Sequence, residues 1–273
     1  MLKALLALAL ASSAALCSSA AGATVRSFVY TQESLVLGPS ASELAAWSTF
    51  RAGQSRYYSA LDGRLELAHG LAPGLELGLF WNIGSETRDV VTDSLTQKLE
   101  RRSSSDFAGA SAELKYRLSD RAADVLGSAL RLAATLGPRQ SALGARLIVD
   151  RSLGKWLLAA NVTGELKLDP RRGDDGSELA TAVALEPSLA AAYQLPRGAS
   201  LGLELRAPLR VSGDAQSNTL FGGPVVRWSD QRMWAAFGVE PQLLAFSGKS
   251  AGSRLDLDQH QRLEVRLLAG FLL

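Results

Sequence analysis

The sequence predicts an all-β protein, a transmembrane antiparallel up-and-down β-barrel of about twelve strands, preceded by a cleaved signal peptide. Three observations predict this class. The chain opens with the pattern of an export signal, apolar and polar residues alternate almost to the last residue, and no stretch is apolar enough for a transmembrane helix. Alternation with a period of two puts apolar side chains on one face of a strand and polar side chains on the other.

The first element is the predicted signal peptide, residues 1–23. Lys3 supplies a positive start, residues 4–10 are apolar, and small residues at 21–23 form a cleavage site. The sole cysteine, Cys17, lies inside this segment, and its lipidation is the weaker alternative because a bulky leucine precedes it. Cleavage after residue 23 would leave a mature chain without disulfides, thiolate metal ligands or a cysteine nucleophile.

The charge pattern excludes several function classes. The formal net charge is +2, and removal of Lys3 with the signal peptide leaves +1. Charged residues are spread singly, so there is no basic stripe for nucleic acid and no acidic tail. We predict a periplasmic N-terminal segment over residues 24–42 and one barrel domain over residues 43–273.

Twelve segments of the barrel show the alternation, which is clearest over residues 63–67, 75–81, 201–206 and 262–267. Most are long enough for a tilted membrane-crossing strand, which takes about 9–11 residues. The predicted strands are 43–53, 57–69, 74–84, 106–118, 125–136, 141–150, 155–167, 178–193, 200–210, 219–229, 233–246 and 260–272.

The connections between these segments alternate in length. With both chain ends placed in the periplasm, the periplasmic connections are short, and the long polar stretches 85–105, 168–177, 211–218 and 247–258 become extracellular loops. That asymmetry is typical of outer-membrane barrels. Aromatic residues are predicted to point outward at the periplasmic strand ends, where amphipathic rings favour the membrane interface. They are Tyr116, Trp156, Tyr193 and Trp228.

The alternation also assigns a face to each residue. The predicted lipid-facing residues are Leu65, Leu67, Leu75, Leu77, Leu79, Leu114, Leu130, Leu132, Leu147, Leu158, Val162, Val183, Leu185, Leu203, Leu205, Val226, Phe237, Leu263, Val265 and Leu267. The candidate lumen-lining residues are Asp62, Arg64, Glu66, Glu76, Glu113, Lys115, Arg117, Arg131, Arg146, Glu165, Lys167, Glu186, Glu204, Arg206, Arg227, Glu240, Arg262, Glu264 and Arg266. A lipid-facing charge costs about 2–4 kcal/mol at the bilayer midplane, which fixes this register. A soluble barrel with the faces inverted is the alternative that periodicity alone leaves open.

Three prolines interrupt the pattern. Pro187, Pro224 and Pro241 lie inside predicted strands, and each removes a donor from the strand ladder. We expect bulges or local breaks there, with the register slipping by one residue beyond them.

The chain resembles Gram-negative outer-membrane β-barrel proteins in its signal peptide, its even strand count and its terminal stretch from Leu263 to Phe271. It ends in Leu273, whereas barrels of this class usually end in an aromatic residue. Four further stretches are similar to an uncharacterised family of such barrels with no assigned activity. They are Tyr30-Thr31-Gln32-Glu33-Ser34, Tyr57-Tyr58, Trp156-Leu157-Leu158-Ala159-Ala160-Asn161 and Leu201-Gly202-Leu203-Glu204-Leu205-Arg206.

Catalytic and metal chemistry find little support. No G-x-S-x-G motif is present, and of the two histidines, His69 and His260, only His260 lies at the outer rim, where we predict a solvated side chain. Asp256 and Asp258 beside it, and Asp174-Asp175 in another loop, are predicted to be solvated loop charges and not metal ligands. We therefore predict no enzyme activity, no cofactor, no catalytic residue and no metal.

The predicted location is the bacterial outer membrane, reached by Sec export. The leading hypothesis is porin-like passage of small solutes, of unknown identity, through a charged and mostly filled lumen. Nine of the lumen candidates are acidic and ten are basic, which predicts little ion selectivity. The alternative is a non-transporting structural or surface-interaction barrel, and an outer-membrane lipid-modifying enzyme ranks last. The predicted partners are outer-membrane lipid, the barrel assembly machinery and periplasmic chaperones, with no nucleic acid.

Overall fold

The structure is a computed structural model that describes residues 26–93, 98–138, 141–173, 176–211, 217–250 and 252–273. The predicted signal peptide, with Cys17, and the aspartates at 174–175 lie outside these ranges. Within them, no helix combines the length and the apolar character needed to span a bilayer.

Within the described ranges the chain forms thirteen β-strands. They are β1 (Ser42–Ala52), β2 (Tyr58–Ala72), β3 (Leu75–Asp93), β4 (Lys98–Ser119), β5 (Gly127–Leu136), β6 (Ser141–Leu153), β7 (Trp156–Gly173), β8 (Gly176–Gln194), β9 (Ala199–Arg206), β10 (Leu209–Val211), β11 (Ser217–Ser229), β12 (Met233–Ser247) and β13 (Leu263–Leu272). A short 3-10 turn, Pro196–Gly198, precedes β9. Strands β9 and β10 are two parts of one crossing, so the barrel wall has the twelve crossings that the sequence predicts.

The strands form one closed antiparallel sheet. Consecutive strands pair as hairpins, β1 pairs with both β2 and β13, and β11 pairs with β9 and β12. Closure leaves the wall without a free edge, so every strand finds hydrogen-bond partners on both sides. The predicted fold class, an antiparallel barrel, is confirmed.

The prolines interrupt strand pairing, and the register shifts beyond one of them. Pro187 faces the break between β9 and β10, where Ala207 donates its N–H to the Pro187 carbonyl at 3.0 Å. Ser188 pairs with Arg206 on one side of the break and Leu185 with Leu209 on the other, which is the same register. Around Pro224 and Pro241, β11–β12 pairing is interrupted between Phe221 and Val225 but resumes in register. The expected breaks occur. The register slips by one just beyond Pro241, where Gln242 pairs with Phe221 but Leu244 pairs with Leu220, and no slip follows Pro187 or Pro224.

The outer face of the wall is apolar. Leucines such as Leu67, Leu130 and Leu203 are exposed on it, as are the aromatic side chains of Tyr116, Trp156 and Trp228. Trp156 also packs edge-on against Tyr193, with ring centroids 5.2 Å apart. An apolar exterior of this extent is typical of a membrane protein, because soluble monomers rarely expose a large contiguous apolar patch.

Two of the predicted extracellular loops are strand instead. Residues 85–93 and 98–105 continue strands β3 and β4, with Ser85 opposite Ser105 and Arg88 opposite Arg102. Residues 168–177 likewise extend the β7–β8 hairpin on either side of the undescribed residues 174–175. The β4 half of this extension, residues 98–105, is exposed on both faces, so its residues have no reason to alternate, and period-two patterning does not detect the strand.

Candidate functional site

Residues 26–41, the inner segment, lie inside the barrel, so the predicted periplasmic placement of residues 24–42 is wrong for the described part. The segment follows the inner wall around the lumen. Its wall partners, from Leu37 back to Arg26, are Glu76 on β3, Lys115 on β4, Asp150 on β6, Asn161 on β7, Glu204 on β9, Arg266 on β13 and Glu66 on β2. The segment joins β1 at Ser42, and we call the part of the lumen at this end of the barrel the lower lumen.

The physical reason for this placement is a match between buried carboxylates and backbone donors. Glu204, almost fully buried, accepts backbone N–H groups from Val29 and Tyr30 at 3.0 Å each, and from Thr31. A buried carboxylate is costly unless it is hydrogen-bonded, and a strand-free stretch of backbone supplies several donors at once.

Tyr30 lies at the boundary between the lower lumen and the open part of the lumen above it. Its hydroxyl donates to Glu264, and the guanidinium carbons of Arg206 and Arg266 are 4.1 and 4.3 Å from its ring centroid. Its carbonyl accepts a hydrogen bond from Arg146 at 3.0 Å. Cations this close to an aromatic ring are attracted to it, so both arginines help to hold the Tyr30 ring in place.

The second half of the inner segment is bound in the same way. The Asn161 side chain accepts the Gln32 N–H at 2.7 Å and donates to the Gln32 carbonyl at 2.9 Å. Asp150 accepts both the N–H and the hydroxyl of Ser34, at 3.1 and 2.7 Å. These side chains pair with the segment as a neighbouring strand would, although no strand ladder is formed.

Apolar side chains complete the filling of the lower lumen. Phe28 and Val29 of the inner segment pack in one buried cluster with Trp47, Phe80 and Trp234. Between this cluster and Lys115 there remains a cavity of about 20 Å³, room for about one water molecule. The lower lumen is therefore a packed core inside the barrel.

Arg206 lies at the boundary above this core. Its guanidinium contacts Glu240 at 2.7 Å, Glu186 at 3.3 Å and also Glu264, and it packs over the Phe221 ring. Arg206 and Glu240 are both buried. A buried ion cluster of this kind is tolerated because each charge has hydrogen-bonded counter-charges.

The upper part of the lumen is a cavity of about 600 Å³, which we call the vestibule. Eight basic side chains line it, together with six acidic ones. The basic residues are Arg51, Arg64, Arg88, Arg131, Arg146, Lys167, Arg206 and Arg210, and the acidic residues are Glu86, Glu113, Glu165, Glu186, Asp258 and Glu264. The inner segment and the Arg206 cluster lie beneath it.

The loop between β12 and β13 reaches into the vestibule, and two predictions about it are wrong. Asp256 is fully buried and accepts the Ser217 hydroxyl and the Gln259 N–H, the latter at 3.0 Å, so it is not a solvated charge. His260 is buried against Phe221, with ring centroids 6.0 Å apart. Burial, reinforced by the nearby Arg210, lowers the pKa of His260 to about 4. No group of three metal-ligating side chains occurs in the described ranges.

The remaining lumen candidates lie in several settings. Asp62 pairs with Arg51 at 2.7 Å, and Arg64 and Arg131 share Glu113 at 2.7 and 2.8 Å. Nearer the barrel ends, Arg117 pairs with Asp120, Arg227 contacts Ser229, and Arg262 is exposed just before β13.

Sequence reasoning missed three residues that hold the inner segment, namely Arg26, Asp150 and Asn161. Asp150 and Asn161 lie on the inward-facing positions of β6 and β7, so extending the alternation to all polar residues would have found them. Arg26 pairs with Glu66 at 3.1 Å and stacks 4.2 Å from the Trp47 ring, and no local pattern marks it.

Solved structures share this architecture. The COG4313 outer membrane channel from Pseudomonas putida F1 is 16% identical, with a TM-score of 0.60 over 88% of this chain and 98% of that chain. The NanC porin is 9% identical, with a TM-score of 0.55 over 84% of this chain and 100% of its own. The β domain of the Bordetella autotransporter BrkA is 12% identical, with a TM-score of 0.53 over 85% and 99%. The fold is therefore that of outer-membrane barrels.

No curated protein matches the sequence. Residues 20–273 match the family described as "Family of unknown function (DUF6662)", which includes nearly all of the barrel and the inner segment. The chain belongs to this family.

Proposed function

We propose that this protein is an outer-membrane channel for small solutes, and that movement of the inner segment opens it. Its apolar outer wall suits a bilayer, and its charged vestibule suits water and polar solutes. A channel from Pseudomonas putida shares its fold at 16% identity. In the proposed orientation the start of β1 and the end of β13 face the periplasm, so the vestibule opens to the outside, and the chain arrives through Sec export.

The observation that carries the proposal is that the inner segment is separate from the wall. Strand β1 pairs directly with β13, so the wall closes without any residue of the segment. Among the described residues, backbone pairing between segment and wall is confined to Ser40 and Ala41, which bond Gly70 at 2.8 and 2.9 Å. The segment can therefore leave the lumen without unpairing a strand, which would cost the barrel its closure.

A closed structural barrel is the second candidate, and the packing in the lower lumen favours it. Phe28 is buried with Trp47, Phe80 and Trp234 in one apolar cluster. Releasing such a side chain into water costs roughly 1.5–3 kcal/mol. If the segment never leaves, the barrel would act through its outer hairpins alone.

A disulfide between the inner segment and β12 separates the two candidates. An ideal Cβ on Gly238 would lie 3.5 Å from the Val29 Cβ, within the range that a disulfide requires. The variant Val29→Cys/Gly238→Cys would be prepared from Thr24 onward, where no native cysteine remains. Single-channel recording in planar bilayers would show openings when the disulfide is reduced and none when it is oxidised.

The matched control is Ala133→Cys/Gly144→Cys, a pair across β5 and β6 in the vestibule wall. The Gly144 Cβ position lies 3.7 Å from the Ala133 Cβ, and neither residue belongs to the inner segment. Its openings should not depend on the redox state. If the Val29–Gly238 pair opens equally often when oxidised and when reduced, gating by the inner segment is wrong. If neither the wild type nor any variant shows channel openings, the closed structural barrel is the function that remains.

A further inference from the structure

We infer that the floor of the vestibule is an oxyanion-binding site, formed by Arg146 with Arg131 and Thr163, for the carboxylate or phosphate of a small solute. As a step in passage this site depends on the proposed channel function, whereas the binding itself does not.

The first argument is the division of charge between the two parts of the lumen. Glu66, Glu76, Asp150 and Glu204 are all directed at the inner segment, through its backbone N–H groups or Arg26. Those acids are thereby withdrawn from the vestibule, whose lining has eight basic and six acidic side chains. The vestibule is positive although the whole lumen is nearly balanced.

The second argument concerns which basic residues of the vestibule lining form ion pairs. Ion pairs account for Arg51, Arg64, Arg88, Arg131 and Arg206. Arg146, Lys167 and Arg210 have no ion pair within the described part of the chain. Two acidic residues of the lining, Glu165 and Asp258, likewise have no ion pair within the described part of the chain, and Asp258 accepts the Ser250 hydroxyl at 2.9 Å.

The third argument is the position of Arg146 in a row of like charges. Lys115, Arg131 and Arg146 lie directly opposite one another on β4, β5 and β6. Like charges in this arrangement repel, and each needs an acceptor. Lys115 donates to the Leu35 carbonyl, and Arg131 contacts Glu113 at 2.8 Å, whereas the one acceptor of Arg146 among the described residues is the Tyr30 carbonyl.

The remaining donor capacity of Arg146 fits an oxyanion. Among the described residues, one N–H of its Nη1 donates to the Tyr30 carbonyl, whereas its Nε is enclosed by protein, so the free donors are those on the terminal nitrogens. Thr163 lies opposite it on β7 and supplies a hydroxyl at the vestibule wall. A guanidinium presents its N–H groups as a fork that matches carboxylate and phosphate oxygens, and such bonds are stronger than those between neutral groups.

The test is calorimetric titration of the detergent-solubilised full barrel with succinate, inorganic phosphate and glycerol. Succinate or phosphate should bind, glycerol should not, and Arg146→Gln should weaken the binding at least tenfold. Thr163→Val should weaken it several-fold, and Glu165→Gln should strengthen it by removing a repelling charge. Arg102→Gln, an exposed pair partner of Glu100, is the matched control and should leave affinity unchanged.

Three results would overturn the site. They are the absence of binding by both oxyanions, equal binding of glycerol, and an Arg146→Gln affinity equal to that of the wild type. Conductance of the same samples separates this proposal from the channel function. A barrel that binds oxyanions without conducting retains the site and loses the channel, whereas one that conducts without binding them does the reverse.

Discussion

The lower lumen and the vestibule are enclosed by the same strands, yet charged side chains have different roles in each. In the lower lumen, carboxylates such as Glu204 and Asp150 accept hydrogen bonds from the backbone of the inner segment. In the vestibule, arginines such as Arg146 face open space. The difference comes from the inner segment. Its backbone N–H groups occupy the carboxylates of the lower lumen, and the segment itself contributes fewer acidic side chains than it contacts. A count of charges over the whole lumen therefore conceals a separation along the barrel axis.

The largest expected effect comes from the boundary between the two regions. Arg206→Met should destabilise the barrel by about 3–5 kcal/mol, because it leaves Glu240 and Glu264 buried without their cation. Urea unfolding in detergent micelles, followed by tryptophan fluorescence, measures this. Arg102→Met removes an exposed ion pair and should cost less than about 1 kcal/mol. Similar losses in both variants would contradict a structural boundary at Arg206.

Loss of the Glu204 carboxylate should loosen the lower lumen alone. Glu204→Ala removes the acceptor of three backbone N–H groups. The local opening of the inner segment should become easier by about 3 kcal/mol, which speeds amide exchange at residues 29–31 about a hundredfold. Hydrogen exchange read by mass spectrometry would detect it. Glu165→Ala, a vestibule carboxylate, should leave those amides protected, and parallel exchange in the two variants would erase the distinction between the regions.

The point where the inner segment leaves the lumen should be sensitive to a single methyl group. A Cβ at Gly70 would lie 2.0 Å from the Gly38 carbonyl oxygen, so Gly70→Ala forces the segment to shift. We expect a loss of about 1–3 kcal/mol, seen as faster exchange of the Leu37 amide. Gly164→Ala is the matched control, since nothing lies within 4 Å of its Cβ position. Protection of Leu37 in Gly70→Ala equal to that in the control would show that this contact is not needed.

The smallest effect should appear at the vestibule mouth, as a pH dependence. The pKa of His260 is lowered to about 4 by burial, below the ordinary value of 6.5. The unfolded loop therefore takes up a proton more readily, so the packing of the loop is fully stable above pH 6.5 and weakens as the pH falls towards 4. Exchange of the Leu255 and Leu257 amides should rise over that window, beyond the intrinsic pH effect. His260→Gln should remove the dependence and His69→Gln should retain it.

The strands were predictable because their cause is local. The alternation of Leu75 to Trp81 reflects a wall with lipid-compatible residues outside and polar residues inside, and the structure places β3 there. The same logic explains the failure over residues 98–105, where both faces of the strand are exposed. Period-two patterning detects a strand only when its two faces differ.

His260 and Asp256 illustrate a second limit. Both occur in a polar loop sequence, for which solvation is the ordinary expectation. Their burial depends on Phe221 and Ser217, which approach from another strand. The composition of the loop alone therefore does not predict such a contact.

The sequence by itself determined the barrel, its twelve crossings and which residues of a strand share a face, because the pleat of a strand sends successive side chains to opposite faces. The tertiary structure decided what fills the lumen. Residues Tyr30 to Ser34 have no periodic pattern, and the bond between Val29 and Glu204 joins positions 175 residues apart. Since only closure of the wall brings those groups together, the packed lower lumen and the cationic vestibule above it arise from the folded barrel and not from any local feature of the chain.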